Sequence, residues 1–171
     1  MRVALSIGAN LGNRVEALQF AVDELAALGE VVAVSDVYET DPVGGPEQPD
    51  YFNAVVVLET EASPADVLAT AHAAEQGKGR TREIRWGART LDVDVLAYGQ
   101  LVSEDPALTL PHPRATQRAF VMIPWAQIDA EFELPDGRRV GDVVVPSAGV
   151  RRMGPLLRTV GPGPGPAPDC S

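Results

Sequence analysis

Apolar positions along this chain change period several times, and each change marks an element. Residues 2–8, RVALSIG, are a short apolar run closed by Gly8, which predicts a buried strand. Val15, Leu18, Val22, Leu25 and Leu28 then recur at spacings of three and four, which predicts one amphipathic helix ended by a left-handed Gly29. Two β-branched runs follow, at 31–39 and 53–60, separated by a segment containing Pro42, Gly44, Gly45, Pro46 and Pro49. They read as antiparallel neighbours joined by a long loop. Ser63 before Pro64 opens a second helix that runs to about Gln76, with Gly77 and Gly79 ending it. A third β-rich stretch, TLDVDVLAYG, covers 90–99.

Strand, helix, strand, strand, helix, strand is the split βαβ order of an α+β, ferredoxin-like βαββαβ sandwich. Beyond Gly99 the pattern predicts a helix from residue 118, RAFVMIPWAQI, and a hairpin around Pro135, Asp136 and Gly137. The end, GPGPGPAPDCS, cannot bury a core and is expected to be disordered. The domain expectation is therefore one domain over 1–160 and a Pro/Gly-rich tail over 161–171.

Composition narrows the function classes. The 171 residues suffice for one ordinary domain, and the formal charge of −10 argues against a field that gathers nucleic acid or an anionic membrane. Any anionic ligand then needs a local cluster of basic side chains. The single cysteine, Cys170, can build neither an internal disulfide nor a thiolate metal cage. With no long apolar span and no basic leader, a cytoplasmic protein is expected, and a monomer is compatible with everything in the sequence.

Such a basic cluster exists. Lys78, Arg80, Arg82, Arg85 and Arg89 place five of the chain's 14 basic residues within residues 78–89, opposed only by Glu83. A solvated surface loop is the ordinary reading of a charge run. Arginine, however, forms forked contacts with phosphate that lysine does not, and Trp86 in the same segment is costly to leave exposed. A phosphate-binding loop is the reading preferred.

Immediately downstream, Asp92 and Asp94 leave one face of a strand about 7 Å apart, while Leu91, Val93 and Val95 point the other way. An exposed strand face would also carry such a pair. A hard cation explains it better: Mg²⁺ takes one or two carboxylates and completes its shell with water and phosphate oxygen, and two such ions can share a carboxylate pair. No P-loop or GxGxxG sequence is present, so GANLGN at 8–13 reads as a tight strand-to-helix turn.

Other candidates are weaker singly. His112 stands between Pro111 and Pro113, which restrict its backbone and make it a rigidly presented phosphate donor. Arg118 can contact phosphate, and Phe120 can offer a ring face or simply pack in the core. Tyr51 and Asn53 alternate onto one face and Phe52 onto the other, so an aromatic ring and a carboxamide sit together as a flat, amide-edged heterocycle requires. His72 reads as an ordinary polar helix residue.

Six stretches carry a resemblance: SIGANLGN at 6–13, TDPVG and QPDYFNAV within 40–55, GRTR at 79–82, RWGARTLDVDVLAYG at 85–99, LPHPR at 110–114 and RAF at 118–120. In this order and spacing the chain, from about residue 3 to residue 137, resembles the 6-hydroxymethyl-7,8-dihydropterin pyrophosphokinase family of folate biosynthesis. The resemblance implies transfer of diphosphate from ATP to a pterin alcohol, with AMP released. It implies two Mg²⁺ ions on Asp92 and Asp94, and catalytic roles for Arg82 and Arg89 in a loop that closes over the substrates. Arg80, Trp86, His112 and Arg118 would bind ATP. Tyr51 and Phe120 would sandwich the pterin, with Asn53 and the backbone around Thr40 and Pro42 reading its edges. Ala88 departs from the family's usual proline, and His72 stands where some relatives have glutamine. The rival reading is a non-catalytic, ferredoxin-like nucleotide-binding module, since this kind of sandwich serves many unrelated functions.

Overall fold

A computed structural model describes residues 1–10, 12–41, 50–77, 91–147 and 149–156 of the chain. Pro42, the cluster formed by Lys78, Arg80, Arg82, Arg85, Trp86 and Arg89, and the 161–171 tail lie outside the described residues.

The first strand, β1 (Arg2–Ala9), leads through a short turn into helix α1 (Arg14–Leu25). The turn is closed by Asn13, whose side-chain oxygen accepts a hydrogen bond from the Glu16 backbone N–H at 3.0 Å, and by Gly12 at φ +65°. GANLGN is thus the tight strand-to-helix connection expected of it. The helix is shorter than its apolar spacing suggests: it ends at Leu25, and a 3₁₀ turn covers Ala26–Leu28. Its buried face is Ala17, Leu18, Ala21, Val22 and Leu25, whereas Val15 is exposed. Gly29 is not a left-handed cap. Its φ of 164° is extended, it begins strand β2 (Gly29–Val34), and a Cβ there would lie 2.3 Å from the Glu59 carbonyl oxygen.

The run at 31–39 is two strands rather than one. After β2 the chain bends at Ser35 and Asp36 and resumes as β3 (Val37–Thr40), and both strands pair antiparallel with β4 (Tyr51–Thr60). The break is held by Ser35, whose hydroxyl accepts the Val55 N–H at 2.9 Å, and by Gln127, whose side-chain oxygen accepts the Asp36 N–H at 2.9 Å. Helix α2 (Pro64–Gly77) starts at Ser63, whose hydroxyl accepts the Asp66 N–H at 3.1 Å. Then come β5 (Asp92–Tyr98), the short hairpin β6 (Ser103–Asp105) and β7 (Leu108–Leu110), and helix α3 (Ala119–Asp129).

The turn at Pro135–Gly137 is present, with Gly137 at φ +95°, but carries only a single bridge, Glu133 to Arg139. A last strand, β8 (Val150–Gly154), is not evident in the hydropathy pattern; it pairs with β3. The resulting antiparallel sheet has the order β5-β1-β4-β3-β8, with β2 also on β4.

The two faces are covered unequally. On one, α1 and α2 pack over Val3, Leu5, Ile7, Val56, Leu58, Val93 and Val95. On the other, α3 packs over Ala4, Val55, Val57, Leu96 and Ala97, with Trp125 fully buried and its ring centroid 5.5 Å from that of Phe132. Strand alternation assigns Ser6, Gly8, Asn53, Asp92 and Asp94 to the same face as α3. Being polar or lacking a side chain, they do not join that core, so the sheet face stays open beside the start of α3. That opening is the candidate site.

Candidate active site

The opening is a cleft of about 700 Å³. From the sheet it is lined by Ser6, Gly8, Thr40, Tyr51, Asn53, Asp92 and Asp94, and from the segment entering α3 by Arg114, Gln117, Arg118, Ala119 and Phe120. Asp41, just past β3, completes the wall. Seven side chains singled out from the sequence therefore meet in one place: Thr40, Tyr51, Asn53, Asp92, Asp94, Arg118 and Phe120.

Register explains the meeting. Strand β1 lies between β4 and β5, pairing Gly8 with Asn53 on one side and with Asp92 on the other, while Ser6 pairs with Asp94. The carboxylates and the carboxamide thus share a face on either side of a strand that offers only a hydroxyl and a hydrogen. Gly8 is required for this. A Cβ at that position would lie 2.6 Å from Asn53 Oδ1, so any other residue would force the carboxamide or the strand to shift.

Asn53 is 4% exposed, and its Nδ2 donates to Thr40 Oγ1 at 2.8 Å. Tyr51 shares the cleft with Asn53, whereas Phe52 faces the other core and lies 4.0 Å beneath the Arg14 guanidinium. Phe120 packs against the α3 core and also lines the cleft. The Arg118 guanidinium carbon lies 5.6 Å from its ring centroid.

Asp92 and Asp94 differ in setting. Asp94 is exposed and Asp92 half-buried, while Leu91, Val93 and Val95 are in the core as alternation requires. Asp94 also borders a second cavity of about 290 Å³, lined by Leu68, His72 and Glu75 of α2, by Leu108 and Thr109 of β7, and by His112. His112 therefore lies across Asp94 from the main cleft rather than inside it. Glu75, not singled out from the sequence, holds the start of β5 by accepting the Val93 N–H at 2.8 Å.

His112 is held by two hydrogen bonds. Its backbone N–H donates to the Leu96 carbonyl at 2.8 Å, and its Nδ1 accepts the Arg114 N–H at 3.2 Å. Burial pushes its pKa below the ordinary 6.5; nearby Asp94 acts the other way, and Arg118 and Arg114 reinforce the lowering. With Nδ1 occupied as an acceptor, the neutral ring carries its proton on Nε2. It is a hydrogen-bond donor at neutral pH, not a cation.

Pro42, Arg80, Arg82, Trp86 and Arg89, also expected at the site from the sequence, lie outside the described residues. Of the lining residues given no role beforehand, Ser6, Gly8, Asp41, Arg114 and Ala119 lie within the stretches SIGANLGN, TDPVG, LPHPR and RAF, and that was their signal. Gln117 had none.

Residues 4–130 match the family model described as 7,8-dihydro-6-hydroxymethylpterin-pyrophosphokinase (HPPK). A Pseudomonas aeruginosa protein named 2-amino-4-hydroxy-6-hydroxymethyldihydropteridine pyrophosphokinase is 39% identical over 156 residues, covering 89% of this chain and 96% of that protein. A Mycobacterium leprae protein of the same name is 46% identical over 144 residues, covering 78% and 74%. Among solved structures, Plasmodium falciparum wild-type HPPK-DHPS with SDX-DHP superposes with a TM-score of 0.65 at 13% identity, over 88% of this chain. This chain spans 47% of that longer one, and at such identity the likeness speaks for the fold alone. A family-model match over most of the chain and a 39% identical relative matched over 96% of its length lead to one assignment: the chain belongs to the 7,8-dihydro-6-hydroxymethylpterin-pyrophosphokinase family.

Proposed function

We propose that this chain transfers the diphosphoryl group of ATP to the hydroxymethyl group of 6-hydroxymethyl-7,8-dihydropterin, releasing AMP, as a step of tetrahydrofolate biosynthesis. The observation that carries the reading is the meeting of Tyr51, Asn53 and Phe120 with Asp92 and Asp94 in one cleft, adjoined at Asp94 by a second cavity bearing His112. A flat acceptor and a triphosphate donor need adjoining compartments with acidic groups at the junction, and Asp94 stands at that junction.

In this reading the pterin ring lies between Tyr51 and Phe120. Asn53, held by Thr40, reads its edge together with the backbone near Pro42. Arg118 and the neutral His112 donate to phosphate oxygens, and Arg80, Arg82, Trp86 and Arg89 complete the nucleotide site from the segment before β5. The hydroxymethyl oxygen attacks the β-phosphorus in line, the bond from that phosphorus to the AMP oxygen breaks, and the hydroxyl proton passes to solvent water. Positioning and charge stabilisation by the arginines carry the catalysis.

Asp92 and Asp94 are the residues that would hold Mg²⁺, as two ions. The donor set suits it: two carboxylates from one strand face line the cleft, and water and phosphate oxygens would complete the shells. Bound Mg²⁺ supplies neutralisation of triphosphate charge and Lewis acidity.

The same proposal takes residues 1–160 as a single catalytic domain. It reads the scaffold as ferredoxin-like, supported by the antiparallel order β5-β1-β4-β3 with α1 and α2 on one face. No described helix is long and apolar enough to cross a membrane. A monomer in the cytoplasm, where ATP is supplied, completes the proposal.

The deciding experiment incubates the protein with ATP, Mg²⁺ and the pterin alcohol. AMP appearing only when the pterin is present supports the reading. ADP would indicate an ordinary kinase, and binding without either product would favour a non-catalytic nucleotide module.

A further inference from the structure

Strand β8 follows the residues matched by the family model, 4–130, yet one of its side chains binds Asp41 in the cleft wall. The register places Arg151 opposite Glu39, and its guanidinium meets three carboxylates. Its Nη1 donates to Asp41 Oδ1 at 3.1 Å, its Nη2 to Asp50 Oδ2 at 2.8 Å, and its Nε lies 3.5 Å from Glu39 Oε1. Asp41 follows the last residue of β3, and Asp50 precedes the first residue of β4. One planar cation therefore ties together the cleft ends of two paired strands, which bear Thr40 and Tyr51 as direct partners.

The grip is reinforced on both sides. The Asp41 N–H donates to the Gly149 carbonyl at 3.2 Å, and Gly149, at φ +80°, passes so near that a Cβ would lie 3.1 Å from Asp41 Oδ2. Arg14 Nη1 donates to the Asp50 carbonyl at 2.8 Å. Without Arg151, three neighbouring carboxylates would be left to repel one another at the point where the cleft wall is formed. Hydrogen bonding to Asp41 comes first among the causes that raise the Arg151 pKa. The Arg151 side chain is 45% exposed, and exposed ion pairs contribute little to global stability. Its effect is accordingly expected on geometry.

We infer that Arg151 is a positioning residue for the ring-binding end of the cleft: by gripping Asp41 and Asp50 it sets the spacing of Thr40 and Tyr51 that admits a flat heterocycle. It touches neither the ring nor the phosphates. The inference rests on the reading of the cleft given under Proposed function.

The test uses the full chain as wild type, Arg151→Ala, Arg151→Lys and Asp50→Asn. Equilibrium binding of the pterin alcohol, followed by its fluorescence in the presence of a non-hydrolysable ATP analogue, is measured beside pterin-dependent AMP formation and thermal melting. Arg151→Ala should weaken pterin binding about tenfold, leave the KM for ATP within about twofold, and shift the melting temperature by only about 2 °C. Asp50→Asn should move pterin binding in the same direction. Lysine should recover only part of the loss, because a point charge cannot bridge two carboxylates as a fork does. Unchanged pterin binding in Arg151→Ala overturns the inference. So does a loss shared equally by pterin and ATP with a lowered melting temperature, which would mark a purely structural role. A wild-type protein that binds pterin yet makes no AMP defeats the catalytic reading instead, while the binding comparison still judges Arg151.

Discussion

Asn53 and Thr40 are locked together at the floor of the cleft, the Asn53 amide donating to the Thr40 hydroxyl at 2.8 Å with both side chains buried. Removing the acceptor leaves a buried donor without its partner. Thr40→Val should therefore lower stability by ~1–3 kcal/mol in urea denaturation and weaken pterin binding, whereas Thr40→Ser should keep most of both. Equal behaviour of the valine and serine variants would show that the hydroxyl does not hold the amide.

Gly8 makes room for that amide. Gly8→Ala puts a methyl 2.6 Å from Asn53 Oδ1, so the carboxamide or β1 must shift. We expect a stability loss of ~1–3 kcal/mol, typical of overpacking, and a fall in kcat/KM for the pterin that exceeds the fall for ATP. Steady-state kinetics with each substrate varied in turn checks this.

Asp94 is exposed and makes no contribution to the core. Asp94→Ala should remove turnover by on the order of 10² to 10³ while the urea midpoint stays within error, since loss of a transition-state electrostatic contact need not affect folding. The same loss should follow chelation of divalent cations from the wild type and reverse on adding Mg²⁺. An Asp94→Ala enzyme of full activity would end the metal assignment.

His112 supplies a pH test. Its pKa is lowered, chiefly by burial, so the folded state disfavours the protonated ring. The sign follows: the contribution to stability is whole above the unfolded value near 6.5, and it declines as pH falls from there through the lowered folded value. Its ring resonances should titrate with a midpoint below 6.5, and His112→Gln should remove that part of the acid destabilisation. A midpoint above 6.5 would mean that Asp94 outweighs burial.

Much of the fold was legible because the local signals agreed. Strand alternation placed Asp92 and Asp94 opposite Val93 and Val95, and Tyr51 with Asn53 opposite Phe52. The helix start at Ser63 followed from a residue able to cap. Where the expectation failed, a long-range contact outweighed the local pattern. Gly29 is extended because it lies against the Glu59 carbonyl in β4, and the 31–39 run breaks because Ser35 and Asp36 are held by Val55 and Gln127. Strand β8, three of whose five residues are exposed, has no hydrophobic pattern to announce it.

The residue types needed for the chemistry, and the face on which each stands, were determined by the sequence, because alternation within a strand depends on nothing but the strand. Which of those faces meet was decided by tertiary structure. Asn53 and Asp94 come to one cleft only because β1 lies between β4 and β5, and the cleft is open only because α3 begins at Ala119 and covers just part of that face. Arg151 reaches Asp41 and Asp50 from more than a hundred residues away in the chain, through a strand pairing that no local pattern encodes, since cross-strand partners are selected by packing and backbone hydrogen bonding across the whole sheet.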